Sequence, residues 1–495
     1  MTNVLPFRVP SSARDEVAGA EFGDARLTRR LAVITSRLEQ APGASLPKAA
    51  ASPSDLEATY RFLGNERVTS AAILAPHLAE TRRRAGVAET VLAVHDTTEV
   101  RFGGTAERKG LGSLMNGGQG FFLHTALLVG LFPCGAVPLG LGGYEVLVRT
   151  KKREKATTKG EKRKRDRKVR SDPDRESERW LRVAQGTETS LREDKIEPIH
   201  VADREGDNYD FFGPLAASGS KFVIRLAQPR VVTSVVPDFE PAPSRPRPLL
   251  DDAMAPLVVR VSREVDLSAR VTSGGRRRVD KPRSARVATL DLKGTQVELQ
   301  HPVGSQFKGK LTLNAVEVLE VNVPEGQEPV HWRLLTTESI ASEADIERVV
   351  DIYRYRWLIE EFFKALKTGC GIEGRQLETK ERLENALAVQ IPIAWMTLVL
   401  RHVARDAPQT PAAHVLSPGI LAILLYMATT PTANRWGIRI SKDPTADEAL
   451  RALARIGGHL PNNGPPGWLT IRRGLDDVLK MLAVCEGLLP RCDQS

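Results

Sequence analysis

Three acids and a spaced set of side chains around one of them are the residues of this sequence best suited to chemistry. Asp96 closes the apolar run VLAVHD (91–96), Asp203 closes IEPIHVAD (196–203), and Glu360 lies within SEADIERVVDIYRYRWLIEEFFKALKTG (342–369). Carboxylate oxygens are the donors that hard divalent cations take, and Mg2+ keeps waters and substrate phosphate oxygens as its remaining ligands. Two such ions about 4 Å apart suit phosphodiester chemistry, one activating the attacking oxygen and the other stabilising the leaving oxygen. Arg356 and Lys367 would hold phosphates beside them, and the Tyr353 phenol would donate to another. At about 100° per residue, Tyr353, Arg356, Glu360 and Lys367 share an arc of roughly 60° on a helix. Taken alone, that face also suits an ordinary solvated surface with an i,i+4 pair between Arg356 and Glu360.

Positioning these groups requires two strands and a helix. Both aspartates end β-branched apolar runs, the pattern of buried strands delivering a side chain at their C-terminal ends. The run 342–369 contains no Pro or Gly before Gly369, which predicts one long helix stopping there. Ile352, Ile359, Phe363 and Leu366 form a separate core-facing stripe, about 80° from the polar arc. Glu361, about 100° from Glu360, is expected to tolerate Gln. GFFLHTALLVG (120–130) and AVPLGLGGYEVLV (136–148) read as the strands after the first acid, and KFVIRLAQ (221–228) as one after the second. Residues 229–330, richer in Pro and short β-like runs, read as an antiparallel insertion before HWRLLTTE (331–338) returns to the core. The fold class is therefore α/β, a mixed sheet with a β-rich insertion, flanked by helical regions at both ends.

The net charge of +10 favours a polyanionic partner, nucleic acid before an anionic membrane surface. Residues 24–38 predict a helix with Arg26, Arg29, Arg30 and Arg37 on one side and Leu27, Leu31, Ile34 and Leu38 on the other. SPSDLEATYRFLGN (52–65) predicts a second, capped by Ser52-Pro53, closed at Gly64 and carrying Tyr60 and Arg61. A basic run at 149–170 reads as a loop too polar to pack. Four scattered cysteines offer neither a disulfide framework nor a zinc site, and the N-terminus lacks a signal-peptide core, so the expected location is cytoplasmic. The apolar segment 386–400 contains Gln390 and Pro392 and reads as a buried helix rather than a membrane span. In the last helix Ile471, Leu475, Val478, Leu482 and Cys485 alternate by four and three, a seam for a partner helix or for packing within the chain.

Together the motifs VHDTTEV, VADREGDNYDF and YRYRWLIEEFFKALKTG resemble those of the bacterial DDE transposases of the Tn-five type, in the insertion-sequence-four superfamily. The last motif matches that family's Y-(2)-R-(3)-E-(6)-K signature as Tyr353, Arg356, Glu360 and Lys367. FGDARLTRRLAVITSRL, EATYRFLGN and ARIGGHLPNNGPPGWLTIRRGLDDVLKML are similar to its end-binding and dimerisation regions. The resemblance implies an RNase H-like catalytic core with a β-rich insertion. Its domains would be an end-binding domain at 1–70, core at 71–228, insertion at 229–330, core at 331–405 and a dimerisation region at 406–495. It implies two Mg2+ ions on Asp96, Asp203 and Glu360, with Mn2+ as a substitute, and double-stranded DNA, both transposon ends and target, as partner. DNA contacts would come from Arg26, Arg29, Arg30, Tyr60, Arg61, Tyr353, Arg356 and Lys367. It further implies a homodimeric synaptic complex, no membrane, a nucleoid-associated location, and cut-and-paste transposition through a DNA hairpin. Trp332 stands where the family holds a flipped base. The basic run 149–170 is longer than the family leads one to expect. A DDE-derived nuclease without strand transfer and a non-catalytic DNA-binding relic are the alternatives.

Overall fold

The computed structural model describes residues 5, 7–104, 106–115, 117–149, 158, 160, 176–236, 248–269, 283–431, 433 and 437–488. Most of the basic run 149–170 and Cys492 lie outside these residues. The chain divides into two compact units, one formed by Met1–Val91, Thr97–Glu154 and Leu358–Ser495, the other by Leu92–Asp96 and Lys155–Trp357.

The first unit opens with helices α1 (Ala13–Val17), α2 (Ala25–Gln40), α3 (Leu46–Ala49), α4 (Pro53–Leu63) and α5 (Ser70–Ala85). Their boundaries follow the capping chemistry of the sequence. The Asp24 carboxylate accepts from the Arg26 amide at 2.9 Å to start α2. Ser52 Oγ accepts from the Asp55 amide at 3.2 Å to start α4, and Gly64 ends it. Leu31, Ile34 and Leu38 are buried and Leu27 is half-buried, as the amphipathic pattern requires. A buried ion pair ties α1 to α5: Arg84 donates to Glu16 at 2.6 and 3.1 Å and lies 4.1 Å above the Trp395 ring.

Strand β1 (Thr90–Phe102) contributes to both units. The expectation of a strand ending at Asp96 is corrected: it continues six residues further. TTEVRF alternates, with Val100 and Phe102 buried and Arg101 exposed, so the extended conformation still buries one face. What ends near Asp96 is burial of both faces, because Val91–His95 are all buried and 96–99 are half-exposed. The short β2 (Gly112–Ser113) pairs with β3 (Gln119–Phe132), which also pairs antiparallel with β4 (Gly135–Leu147).

In the second unit, α6 (Arg179–Arg192) precedes β5 (Ile199–Ala202), α7 (Tyr209–Ala217) and β6 (Lys221–Arg225). β7 (Val232–Val236), α8 (Leu250–Met254), β8 (Val261–Leu267), β9 (Arg286–Leu299), β10 (Leu311–Val321), β11 (His331–Thr336) and α9 (Glu343–Arg354) follow. β1, β5 and β6 run parallel, and β6, β11, β10 and β9 are antiparallel neighbours. The insertion strands are antiparallel as expected, and β10 joins them to β11 in one mixed sheet. Trp180, Phe211, Phe212 and Phe222 are central to the core packed on it.

The single helix expected over 342–369 is also corrected, because it is three pieces. α9, capped by Ser342, stops at a turn through Tyr355 and Arg356; α10 (Trp357–Lys364) follows and widens into a π-turn at Ala365–Gly369. The break has a packing reason. Tyr353, Leu358, Ile359 and Phe362 are all buried, whereas one straight helix would spread these residues over more than one face.

The remainder is helical: α11 (Lys380–Asp406), α12 (Pro418–Ala428), α13 (Ala446–Ile456) and α14 (Trp468–Leu488). Among the described residues only α11 is long and apolar enough to cross a membrane, and 83% of its apolar window is buried inside the protein. α13 and α14 cross closely enough that a Cβ at Gly474 would lie 1.8 Å from the Leu453 carbonyl oxygen. Ile471, Leu475 and Val478 are buried within the chain, Leu482 is half-buried and Cys485 is exposed. Of the two uses the spacing allowed, a partner helix or packing within the chain, Ile471, Leu475 and Val478 serve the second.

Candidate active site

The parallel register of β1 and β5 pairs Leu92 with Ile199 and His95 with Ala202. One residue further along, Asp96 and Asp203 follow on neighbouring strands, whose axes lie about 4.8 Å apart. Asp203 caps the 3-10 turn Arg204–Gly206, its Oδ1 accepting from the Glu205 amide at 2.8 Å. Behind the acids, His95 Nε2 lies 2.9 Å from His200 Nδ1, and His200 Nε2 lies 3.1 Å from Glu188 Oε1. With the carboxylate accepting, His200 donates from Nε2 and accepts from His95 at Nδ1. Burial alone would push the Glu188 carboxyl up, but its hydrogen bonds to His200 and Ser220 hold it below the usual range.

Basic and aromatic groups of the same unit surround the aspartates. Arg356 Nη1 is 4.0 Å from Asp96 Oδ2, with both side chains mostly buried. Tyr353 is buried rather than on the solvated face expected for it, and burial pushes its phenol pKa up, with Asp203 adding to the effect. It therefore stays a protonated donor. Trp332, half-buried on β11, meets Tyr353 edge to face at a centroid distance of 5.1 Å. The Arg225 guanidinium lies 5.8 Å from the Trp332 ring centroid and hydrogen-bonds Tyr353; burial pulls its pKa down. Sequence reasoning missed Arg225. Its only signal is a cation ending the strand KFVIR, on the sheet that carries Asp203.

Glu360, half-buried in the first turn of α10, belongs to the other unit, as does Lys367 on the π-turn. Lys367 Nζ is 3.8 Å from Glu373 Oε1; burial lowers its pKa, and Glu373 and Glu99 oppose that shift. Glu361, expected to tolerate Gln, is held by several partners. It is buried, accepts from Lys364 Nζ at 2.8 Å and from Trp468 Nε1 at 3.2 Å, and is ion-paired with Arg401. Burial pushes its carboxyl up, but Lys364, Arg401 and Trp468 outweigh that and hold it below the usual range.

On α2, Arg26 is 82% exposed and paired with its own cap Asp24, and Arg29 is exposed. Arg30 instead donates to Asp55 in the first turn of α4 at 2.6 Å, so it joins two helices. Tyr60 is half-buried, and Arg61 is exposed at 3.9 Å from Glu57.

Residues 11–68 match the transposase DNA-binding family, and residues 184–395 match the transposase DDE domain family. These matches support a DDE transposase. The mixed sheet of the second unit fits such a domain; a DDE domain implies polynucleotidyl transfer or DNA cleavage, and the DNA-binding match supports DNA as partner. The DDE match contains Asp203, Trp332, Tyr353, Arg356, Glu360 and Lys367, while Asp96 precedes it. The DNA-binding match contains Arg26, Arg29, Arg30, Tyr60 and Arg61. DDE domains generally use divalent metal ions, and the donor chemistry here suits them. Asp96 and Asp203 offer hard oxygens from adjacent strands. Among the described residues no three His, Cys, Asp or Glu side chains converge to hold an ion by themselves.

Proposed function

We propose that this chain is a cut-and-paste DNA transposase of the Tn-five type, acting on nucleoid DNA of the bacterial cytoplasm as a homodimer on paired transposon ends. Asp96, Asp203 and Glu360 would hold two divalent ions. Bound there, these would activate the attacking oxygen and stabilise the leaving oxygen. Arg356, Lys367 and Tyr353 grip the DNA backbone, and exposed α2 and α4 side chains bind the transposon end. Water cuts one strand to free a 3′-OH. That hydroxyl attacks the opposite strand to give a hairpin, water reopens it, and the 3′-OH attacks target DNA. Each step exchanges or hydrolyses one phosphodiester, so no nucleotide cofactor is needed.

The observation that carries this reading is the register of β1 and β5, with Asp96 and Asp203 adjacent and Arg356 4.0 Å from Asp96. Trp332 supports the hairpin step, because it is half-buried and lies against the signature tyrosine rather than in the core. A hairpin strains the terminal bases. Stacking of an extruded base on an aromatic ring is worth about 1–3 kcal/mol. Trp332→Ala should leave first-strand nicking near wild type and slow hairpin formation or opening about tenfold. A time course on end-labelled DNA resolves nicked, hairpin and fully cut species. Equal slowing of all steps, or of none, removes the base-holding role. A pre-cut end that is never joined to target DNA would leave only a nuclease.

A further inference from the structure

α10 is a helix of eight residues whose setting is not inherited from its neighbours. A turn at Tyr355–Arg356 separates it from α9, and the π-turn Ala365–Gly369 follows directly. Four of its apolar side chains, Leu358, Ile359, Phe362 and Phe363, are buried and fix how deep it lies, while Trp357 is exposed. Dispersion contacts are weakly directional, so they define the rotation of a two-turn helix less sharply than hydrogen bonds do. Glu361 gathers several directional contacts. Lys364 Nζ binds its Oε1 at 2.8 Å, Trp468 Nε1 binds its Oε2 at 3.2 Å, and Arg401 pairs with Oε2. The Arg401 guanidinium also lies 4.8 Å over the Trp468 ring, so the two donors brace each other. A buried carboxylate is costly unless its hydrogen bonds are satisfied, and replacing such a group by an apolar one is often neutral for stability. Its presence here suits fixing a direction better than adding stability.

We infer that Glu361 is a positioning residue: Arg401 on α11 and Trp468 on α14 hold its carboxylate so that the next side chain, Glu360, leaves the helix in one fixed direction. The inference rests on the reading of Glu360 as a metal ligand. It makes the start of α14, in the region expected to serve dimerisation, part of what orients an active-site acid.

The test uses full-length Trp468→Phe, which keeps a ring and deletes one donor, and Glu361→Gln, which keeps the shape and removes the charge. Both are compared with Glu360→Gln on a duplex carrying the terminal repeat that flanks the gene. Thermal unfolding and end binding establish that each protein is folded. Nicking is then followed against Mg2+ concentration, and binding of Mn2+ to the protein–DNA complex is read from the electron paramagnetic resonance of the free ion. Groups that orient metal ligands typically change metal affinity or activity by about 10- to 100-fold. Trp468→Phe is expected at the low end of that range and Glu361→Gln nearer the top, with the Mg2+ midpoint and Mn2+ affinity shifted together while DNA affinity stays within about twofold of wild type. Folded variants with wild-type Mg2+ midpoint and Mn2+ affinity overturn the inference. If Glu360→Gln itself nicks like wild type, the assignment of Glu360 fails instead.

Discussion

Asp96 and Asp203 leave β1 and β5, whereas Glu360 leaves the two-turn helix α10, and their positions are determined in different ways. On the sheet, backbone pairing does the placing. Leu92–His95 are paired one to one with Ile199–Ala202, and a slip of one residue would turn every buried side chain of β1 to the opposite face. The register is therefore held by the whole apolar run 91–95, and the acids follow from it. On the helix no ladder does this work. The backbone is interrupted on both sides, and the Glu361 carboxylate, held by Arg401 and Trp468, ties the helix to its neighbours by directional contacts. Side-chain support of the strand acids should therefore be dispensable for chemistry, and support of the helix acid should not.

The largest effect tests the proposed metal set itself. Asp96→Ala, Asp203→Ala and Glu360→Ala should each lower nicking more than about a hundredfold, beyond the usual loss for groups that only orient ligands. End binding should stay within about twofold, because the proposed phosphate contacts lie on α2 and α4. Parallel nicking and mobility-shift assays check both. A strand-acid variant that still nicks while Glu360→Ala does not would break the comparison at its root.

A smaller effect separates the two kinds of support. His200 is buried behind the aspartates and hydrogen-bonds both His95 and Glu188. His200→Gln should cost about 1–3 kcal/mol of stability, the penalty for leaving buried polar partners unmatched. Nicking by the folded protein should nevertheless change less than about twofold, in contrast to Glu361→Gln at the other acid. Thermal unfolding gives the first number and single-turnover nicking the second. A large loss of nicking with an unchanged thermal midpoint would mean that the strand acids also depend on side-chain support.

How much of this was legible in the sequence follows the same division. The caps of α2 and α4 could be read because Asp24 and Ser52-Pro53 act on their own next turn. The strands at Asp96 and Asp203 could be read because their burial shows as β-branched runs. The break at Tyr355–Arg356 could not: neither Pro nor Gly marks it, and it arises from where Tyr353 and Leu358 have to be buried. Arg225 and the partners of Glu361 were hidden for a related reason. Arg401 and Trp468 lie 40 and 107 residues from Glu361 along the chain, and only tertiary packing brings them together. The seam of α14 left a partner helix and packing within the chain both open, because periodicity shows that a face is buried without showing by what. Gly457 and Gly474 hold the answer, since their lack of side chains lets α13 approach.

The smallest effect carries the distinction to α2, where three arginines expected to act alike fall into different settings. Arg29 is exposed, and Arg26, though paired with Asp24, keeps 82% of its side-chain surface in solvent. Arg30 is only 31% exposed and donates to Asp55 at 2.6 Å, so its charge already has a partner on α4. A cation that neutralises one DNA phosphate releases roughly one counterion, so deleting it lowers the slope of log affinity against log salt by about 0.9. Arg29→Ala should show that change. Arg30→Ala should leave the slope unaltered and instead lower stability by about 1 kcal/mol or less, the usual worth of a partly exposed pair. Fluorescence anisotropy on the transposon end over a salt series, together with thermal unfolding, measures both. Equal slope changes for the two variants would mean that Arg30 releases Asp55 when DNA binds, and the helix-joining role would then belong only to the DNA-free protein.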